Sequence, residues 1–393
     1  MNTLLDDDET MLKESATNFL RAEVPTILVR QAEVSNEKYA TALWSKIAEL
    51  GWCSLCLPEA YGGQNAPLSW LGLVLEEIGY SIAPLPLATS SAAALTLAKY
   101  GSSNEKGLLR AVCTGDAILA CAIQEVAGVW DVQSINANAR EEGDFIILNA
   151  EKYFVEAGQN ATHILVAVRK ANGADVGVVL VDAKIGGIEV RPLVNTAKGD
   201  QVVFSFRNVK VPKSQLIGGW HNGHAALHYL MMLSALFTTA QMAGAARRVT
   251  EMSAKYSGDR FAFGQPIGSF QSLQHMVADM LIAVDGTELL AREAFWRIQN
   301  DLPAELEVSQ AKAFANIHCV TTCRSAQQLH GGIGFMREFD LNLWYRRVVT
   351  WSLSCGSTYE HRRVVAQCIL DNPGHARLDD CHFEQGHAET RAA

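Results

Sequence analysis

Arg260-Phe-Ala-Phe-Gly-Gln-Pro-Ile-Gly-Ser-Phe-Gln-Ser-Leu-Gln-His-Met-Val-Ala-Asp-Met280 is a short loop that opens directly into a helix. Pro266 and Gly268 interrupt the helical pattern before it, and Phe270, Leu273, Val277 and Met280 then recur at three- and four-residue steps, which predicts a helix with one buried apolar face. Arg260 offers a planar fork of donors suited to a pyrophosphate, and Gln271 is placed to bond a ribose or phosphate oxygen near the helix N-terminus. These are the parts of a dinucleotide site, although the spacing alone favours an ordinary loop–helix corner with a surface arginine.

A second stretch, Gln328-Leu-His-Gly-Gly-Ile-Gly-Phe335, follows downstream. The two together, Arg-x-x-Phe-Gly-x-x-Ile-x-x-Phe-Gln-x-x-Gln-His-x-x-Ala-Asp-Met and then Gln-Leu-His-Gly-Gly-Ile-Gly-Phe, resemble the signatures of the acyl-CoA dehydrogenase family of flavoproteins, in the family's order. The similarity runs from Leu57-Pro-Glu-Ala-Tyr-Gly-Gly63 through Glu151-Lys152 to Arg362, nearly the whole chain.

Composition agrees with a large, ordered protein. At 393 residues, with 49% hydrophobic and 19% charged residues, the chain can bury a sizeable core in two or three domains. A net charge of -9 and a pI near 5.7 argue against nucleic acid as a partner. Nine cysteines, an odd number without regular spacing, point to reduced thiols in a cytoplasmic protein rather than to a disulfide framework or a metal site. Residues 225–246 carry no Asp, Glu, Lys or Arg, but His228, two threonines and Gln241 make them a helix buried in a bundle rather than a membrane span.

Along the chain, helical periodicity at Met11 to Leu20, Tyr39 to Leu50 and Leu71 to Tyr80 gives a helical domain over 1–114. Runs rich in Val, Ile and Leu, separated by turn clusters such as Glu141-Glu-Gly-Asp144, predict a meandering, barrel-like β domain over 115–217. Helical spacing returns over 218–372 as a four-helix bundle, and 373–393 form a polar, mobile tail. The fold class is therefore α+β, and the family resemblance implies the same α, β, α order with FAD held between the β domain and the bundle.

The resemblance also implies the chemistry. Such enzymes oxidise an acyl-CoA thioester to the 2,3-enoyl form: a carboxylate removes the α-proton while hydride leaves for the flavin, and hydrogen-bond donors meet the charge developing on the thioester oxygen. Counting from Gly334-Phe335 without a gap, the family's commoner base position falls on Cys355, in Cys355-Gly-Ser357, and the family's following arginine falls on Arg362. The other position, on the helix before the Arg260 loop, falls on Ser234. Neither is an acid. Glu360 lies five residues past the family position and is an outside candidate; His330 has no catalytic part.

The β-domain motif departs as well. Gln124-Glu-Val-Ala-Gly-Val-Trp-Asp131 stands where the family reads Thr-Glu-Pro-x-x-Gly-Ser-Asp, so Glu125 and Asp131 match but Trp130 replaces a serine. Phe154-Val-Glu156 replaces an aromatic–Ile–Thr stretch and loses the hydroxyl that bonds the flavin ring. The family's nucleotide-clamping positions are kept, as Arg260, Phe263, Gln271, Gln328, Gly331 and Gly332, which in the family reach into a neighbouring subunit's flavin.

A chain that keeps the clamp and lacks the base resembles subunits of heteromeric dehydrogenases acting on steroid or other bulky acyl-CoA thioesters. The expected partners are acyl-CoA, a second dehydrogenase-like subunit in an α2β2 assembly, and an electron-transfer flavoprotein as acceptor. The alternatives are a self-sufficient homotetramer with a base such as Glu360 or Glu251, and a scaffold that binds neither flavin nor thioester.

Overall fold

The computed structural model describes residues 3–35 and 39–371; the tail expected over 373–393 lies outside them. The order is α1 (Asp7–Glu23), α2 (Thr26–Val34), α3 (Thr41–Glu49), α4 (Leu68–Ser81), α5 (Leu87–Tyr100) and two short turns α6 (Ser103–Lys106) and α7 (Leu109–Cys113). Strands β1 (Leu119–Ala122), β2 (Asn138–Glu142), β3 (Phe145–Glu156), β4 (His163–Lys170), β5 (Val176–Asp182), β6 (Ile188–Pro192) and β7 (Gln201–Pro212) follow. The last part holds α8 (Gly219–Asp259), the hairpin β8 (Phe261–Ala262) and β9 (Gln265–Pro266), α9 (Gln271–Gln299), α10 (Glu305–His330), α11 (Leu341–Leu353) and α12 (Thr358–Leu370). The mixed α+β fold expected from the sequence is thus present: helices, a curled sheet, and helices again.

The sheet departs from a simple meander. Its order is β1-β4-β2-β3-β7-β6, with β5 on β4. Strand β4 inserts between β1 and β2 and runs parallel to both, while β3 pairs antiparallel with β2 and β7. Its apolar side encloses a core of its own around Val166, Val179, Phe204 and Val211. The two helical parts share a second core.

Helix α8 is the spine. Residues 235–246 are all buried, as their lack of charge requires, and among the described residues no helix is long and apolar enough to cross a membrane. It crosses α4 with backbone in contact: a Cβ on Gly244 would lie 1.7 Å from the Glu76 carbonyl oxygen, and one on Gly79 2.0 Å from that of Gln241. Helix α9 differs from its pattern. Met280 is buried, but Leu273 and Val277 are only partly covered and Phe270 is half-buried, so the first turns of α9 stand clear of the chain's own bundle.

Candidate functional site

Both family base positions meet on one pocket. An inner pocket of about 50 Å³ between sheet and bundle is lined by Thr89 of α5, Trp130, Glu156 of β3, Ser234 of α8 and Cys355 of the α11–α12 loop. Ser234 Oγ donates back to the Leu230 carbonyl at 2.8 Å, and Thr238, one turn on, donates to Cys355 Sγ at 3.7 Å. Burial pushes the Cys355 thiol up to about 11, against the opposing pull of the Lys312 ammonium, so the sulfur stays protonated near neutral pH and is no substitute for a carboxylate.

The loop that carries Cys355 is pinned by α10. Lys312, fully buried, donates to the Trp351 carbonyl at 2.9 Å and to Asn316 Oδ1. Asn316 Nδ2 donates to the Gly356 carbonyl at 3.1 Å. Buried His361 donates from Nε2 to the Cys355 carbonyl at 2.8 Å and accepts the Ser309 hydroxyl at Nδ1. Cys355 and Gly356 both have positive φ, 55° and 98°, and a Cβ on Gly356 would lie 2.3 Å from His361 Nε2. The Cys355 backbone N–H donates to no group among the described residues, which leaves it available to an incoming oxygen.

This packing makes the loop acid-sensitive. Burial, reinforced by the Lys312 charge, pulls His361 down to about 4. Its folded-state value lies below the unfolded one, so its contribution is full above about pH 6.5 and is lost as pH falls towards 4. Between pH 7.5 and 4.5 the wild-type chain is expected to lose about 2–3 kcal/mol through this one imidazole. His361→Gln should flatten that part of the pH dependence in urea unfolding; parallel pH profiles for the two proteins would refute the assignment.

Glu360 has a different setting from the two base positions. Its Oε1 accepts the Trp130 backbone N–H at 2.7 Å, and its Oε2 accepts the Ser357 N–H and hydroxyl at 2.8 and 2.7 Å, capping α12. It lines a separate outer cavity of about 480 Å³, with His224, His228, Met231, Trp130 and Arg363. Glu251 accepts the Tyr80 hydroxyl, away from both cavities.

Glu156, in contrast, is a carboxylate on the inner pocket. It also faces a third cavity of about 80 Å³ shared with Arg347 and Asp200. Burial pushes its carboxyl up, against the Arg347 guanidinium nearby. No ion pair forms between them among the described residues. The cleft between sheet and bundle is therefore divided at Glu156, Ala88 and Thr89 into spaces of about 80 and 50 Å³, against roughly 300 Å³ or more in pockets that enclose drug-sized ligands. As built, it does not fit a flavin ring.

The clamp positions suit a nucleotide better. Arg260, Phe263, Gln271, Gln328, Gly331 and Gly332 are all exposed, Phe263 at 93%. Tyr256 of α8 stacks on His330 at 4.4 Å between ring centroids, which brings the Arg260 loop and the Gly331-Gly332 turn to one end of the bundle. His330 itself is buried, with its Nδ1 on the Ala326 carbonyl. The Arg260 guanidinium has no partner among the described residues, and nothing lies within 4 Å of where a Cβ would sit on Gly331 or Gly332. Free donors beside open backbone fit a pyrophosphate approaching from outside the chain. Phe261, Phe335 and Met336 surround them as exposed apolar side chains.

Sequence reading missed Lys312, Asn316 and His361, whose polar heads are buried under the Cys355 loop, and Arg347. Only the i, i+4 spacing of Lys312 and Asn316 hinted at a shared face.

Residues 6–116 match the family model for the acyl-CoA dehydrogenase N-terminal domain, and residues 221–370 that for the acyl-CoA dehydrogenase C-terminal domain. The probable acyl-CoA dehydrogenase YngJ of Bacillus subtilis is 25% identical over 382 residues, 94% of this chain and 100% of that protein. A variant of the Tcur3481-Tcur3483 steroid ACAD superposes with a TM-score of 0.86 at 26% identity, covering 93% of this chain and 98% of that one. The ChsE4-ChsE5 complex from Mycobacterium tuberculosis gives a TM-score of 0.87 at 25% identity, covering 95% and 100%.

Proposed function

Because the chain belongs to the acyl-CoA dehydrogenase family, we propose that it is the base-lacking subunit of a heteromeric, FAD-dependent dehydrogenase of bulky acyl-CoA thioesters. The observation that carries this reading is a separation. Helix α8 runs unbroken for 25 residues (259 − 234) from Ser234 to Asp259, and Arg260 follows it directly, so the inner pocket and the clamp lie roughly 38 Å apart at 1.5 Å per residue. The clamp cannot serve the pocket of its own chain. It serves a neighbour's.

In this assembly Arg260, Gln271 and Gln328 hold the phosphates and ribose of a nucleotide seated in the partner, and Gly331-Gly332 let the backbone approach it. Flavin, when bound there, supplies the hydride acceptor. The unlike subunit supplies the carboxylate and an electron-transfer flavoprotein takes the electrons. Both solved relatives described above are named as pairs of unlike components, one of them a steroid enzyme, which supports the assembly and the bulky substrate.

A second reading has one observation in its favour: Glu156 places a carboxylate with a raised pKa on the inner pocket. Purification of the chain alone and with a co-expressed, carboxylate-bearing dehydrogenase chain separates the two. The pair is expected to be yellow and active, and the lone chain at least ~100-fold slower, the usual worth of a positioned base. Full turnover with stoichiometric flavin from the lone chain would sink the heteromer, and its loss in Glu156→Gln would then identify Glu156 as the base.

A further inference from the structure

The inner pocket and the outer cavity share one wall, and that wall is Trp130. On one side lie Ser234 and Cys355; on the other lie His224, His228, Met231 and Arg363. The ring is packed against the Cys355 loop: a Cβ on Gly356 would lie 3.1 Å from Trp130 Cδ1, so glycine there lets the indole come up to the backbone. Two anchors fix it. The Trp130 N–H is held by Glu360 Oε1 at 2.7 Å, and the carboxylate of Asp131, the next residue, takes Arg363 of α12 at 2.8 Å. Trp130 therefore sits on a segment tied to α12 from both sides rather than on a free loop.

We propose that Trp130 closes this chain's inner pocket to the acyl arm of a CoA thioester, so that no substrate carbon reaches Cys355 or Ser234 in this subunit. The proposal rests on the family reading above. It follows from size: a pocket of about 50 Å³ has room for a few water molecules and not for an acyl chain, while the adjoining outer cavity, at about 480 Å³, could hold part of an extended ligand. An acyl arm entering from that cavity meets the indole before it meets the loop. Closure of the thioester route on one side and division of the cleft at Glu156, Ala88 and Thr89 on the other leave this pocket with no reacting partner, and the subunit with its clamp as the working part.

The test compares binding of free CoA and octanoyl-CoA to the full chain by calorimetry, in wild type, Trp130→Ser and Trp130→Leu. Leucine keeps an apolar plug of smaller volume in case serine unsettles the loop, and circular dichroism confirms folding. Wild type is expected to bind the two ligands within about twofold of each other. In at least one folded variant octanoyl-CoA should bind at least ten times more tightly than CoA, which needs burial of only about two methylene groups. A tenfold preference already present in wild type overturns the proposal, as does its absence from both folded variants, including the case in which neither ligand binds. Failure of the heteromer reading would appear separately, as turnover by the lone chain.

Discussion

Glu125→Gln is expected to cost about 3–5 kcal/mol of folding stability, the usual penalty for stranding one member of a buried ion pair. Lys152 is fully buried, and its ammonium meets Glu125 at 2.8 Å and the Ile123 carbonyl at 3.1 Å. Burial pulls Lys152 down to about 8, with Glu125 opposing it, so the pair is charged at neutral pH. The same carboxylate accepts the backbone N–H groups of Asn136 and Ala137 at 3.0 and 2.9 Å, which fixes the segment leading into β2. Glutamine keeps the shape but loses the charge, and its NH₂ faces donors on every side. Glu125→Gln/Lys152→Met, which removes both charges, should recover most of the loss. Denaturant midpoints of the three proteins decide it: a single substitution costing under about 1 kcal/mol would mean that water, not Glu125, solvates the ammonium.

Arg260→Ala, made in the assembled protein, is expected to weaken flavin binding by roughly 10- to 100-fold, since each hydrogen bond from a charged donor contributes about 1.5–3 kcal/mol. Arg260→Lys should recover only part of this, because a point charge does not reproduce the planar fork. The side chain is exposed and without a partner among the described residues, so the thermal midpoint of the apoprotein should stay where it is. Flavin retained through gel filtration, read at its visible absorption band, reports the effect. Undiminished retention in both variants would remove Arg260 from the clamp.

These two residues also show what the sequence made legible. Arg260 sits in a motif whose loop–helix grammar of Pro266, Gly268 and a spaced apolar face is local, so it can be read without the rest of the molecule. Cys355 and Ser234 were placed by counting from such motifs, and the fold brings them to one pocket although 121 positions (355 − 234) separate them. Helix α5 was passed over because eight of its fourteen residues are buried on several sides and leave no polar face to mark a period. The parallel insertion of β4 was invisible for a related reason: strands such as Val176–Asp182, buried on both faces, read as uniform apolar runs that carry no pairing information. The Lys312, Asn316 and His361 supports of the Cys355 loop depend on tertiary proximity between α10 and α12, which no single stretch encodes.

The oily end of the bundle, where Phe261, Phe263, Phe335 and Met336 stand in water beside the uncovered start of α9, has a consequence for the cell as well as for the cofactor. If the proposed unlike subunit covers it, a copy translated without that counterpart keeps the surface available to chaperones, proteases and other sticky chains, and even one or two kcal/mol of lost protection alters abundance several-fold. Under the proposed assembly, supply of one polypeptide would be metered by supply of the other, and deleting the counterpart's coding sequence should deplete this chain post-translationally with its messenger untouched.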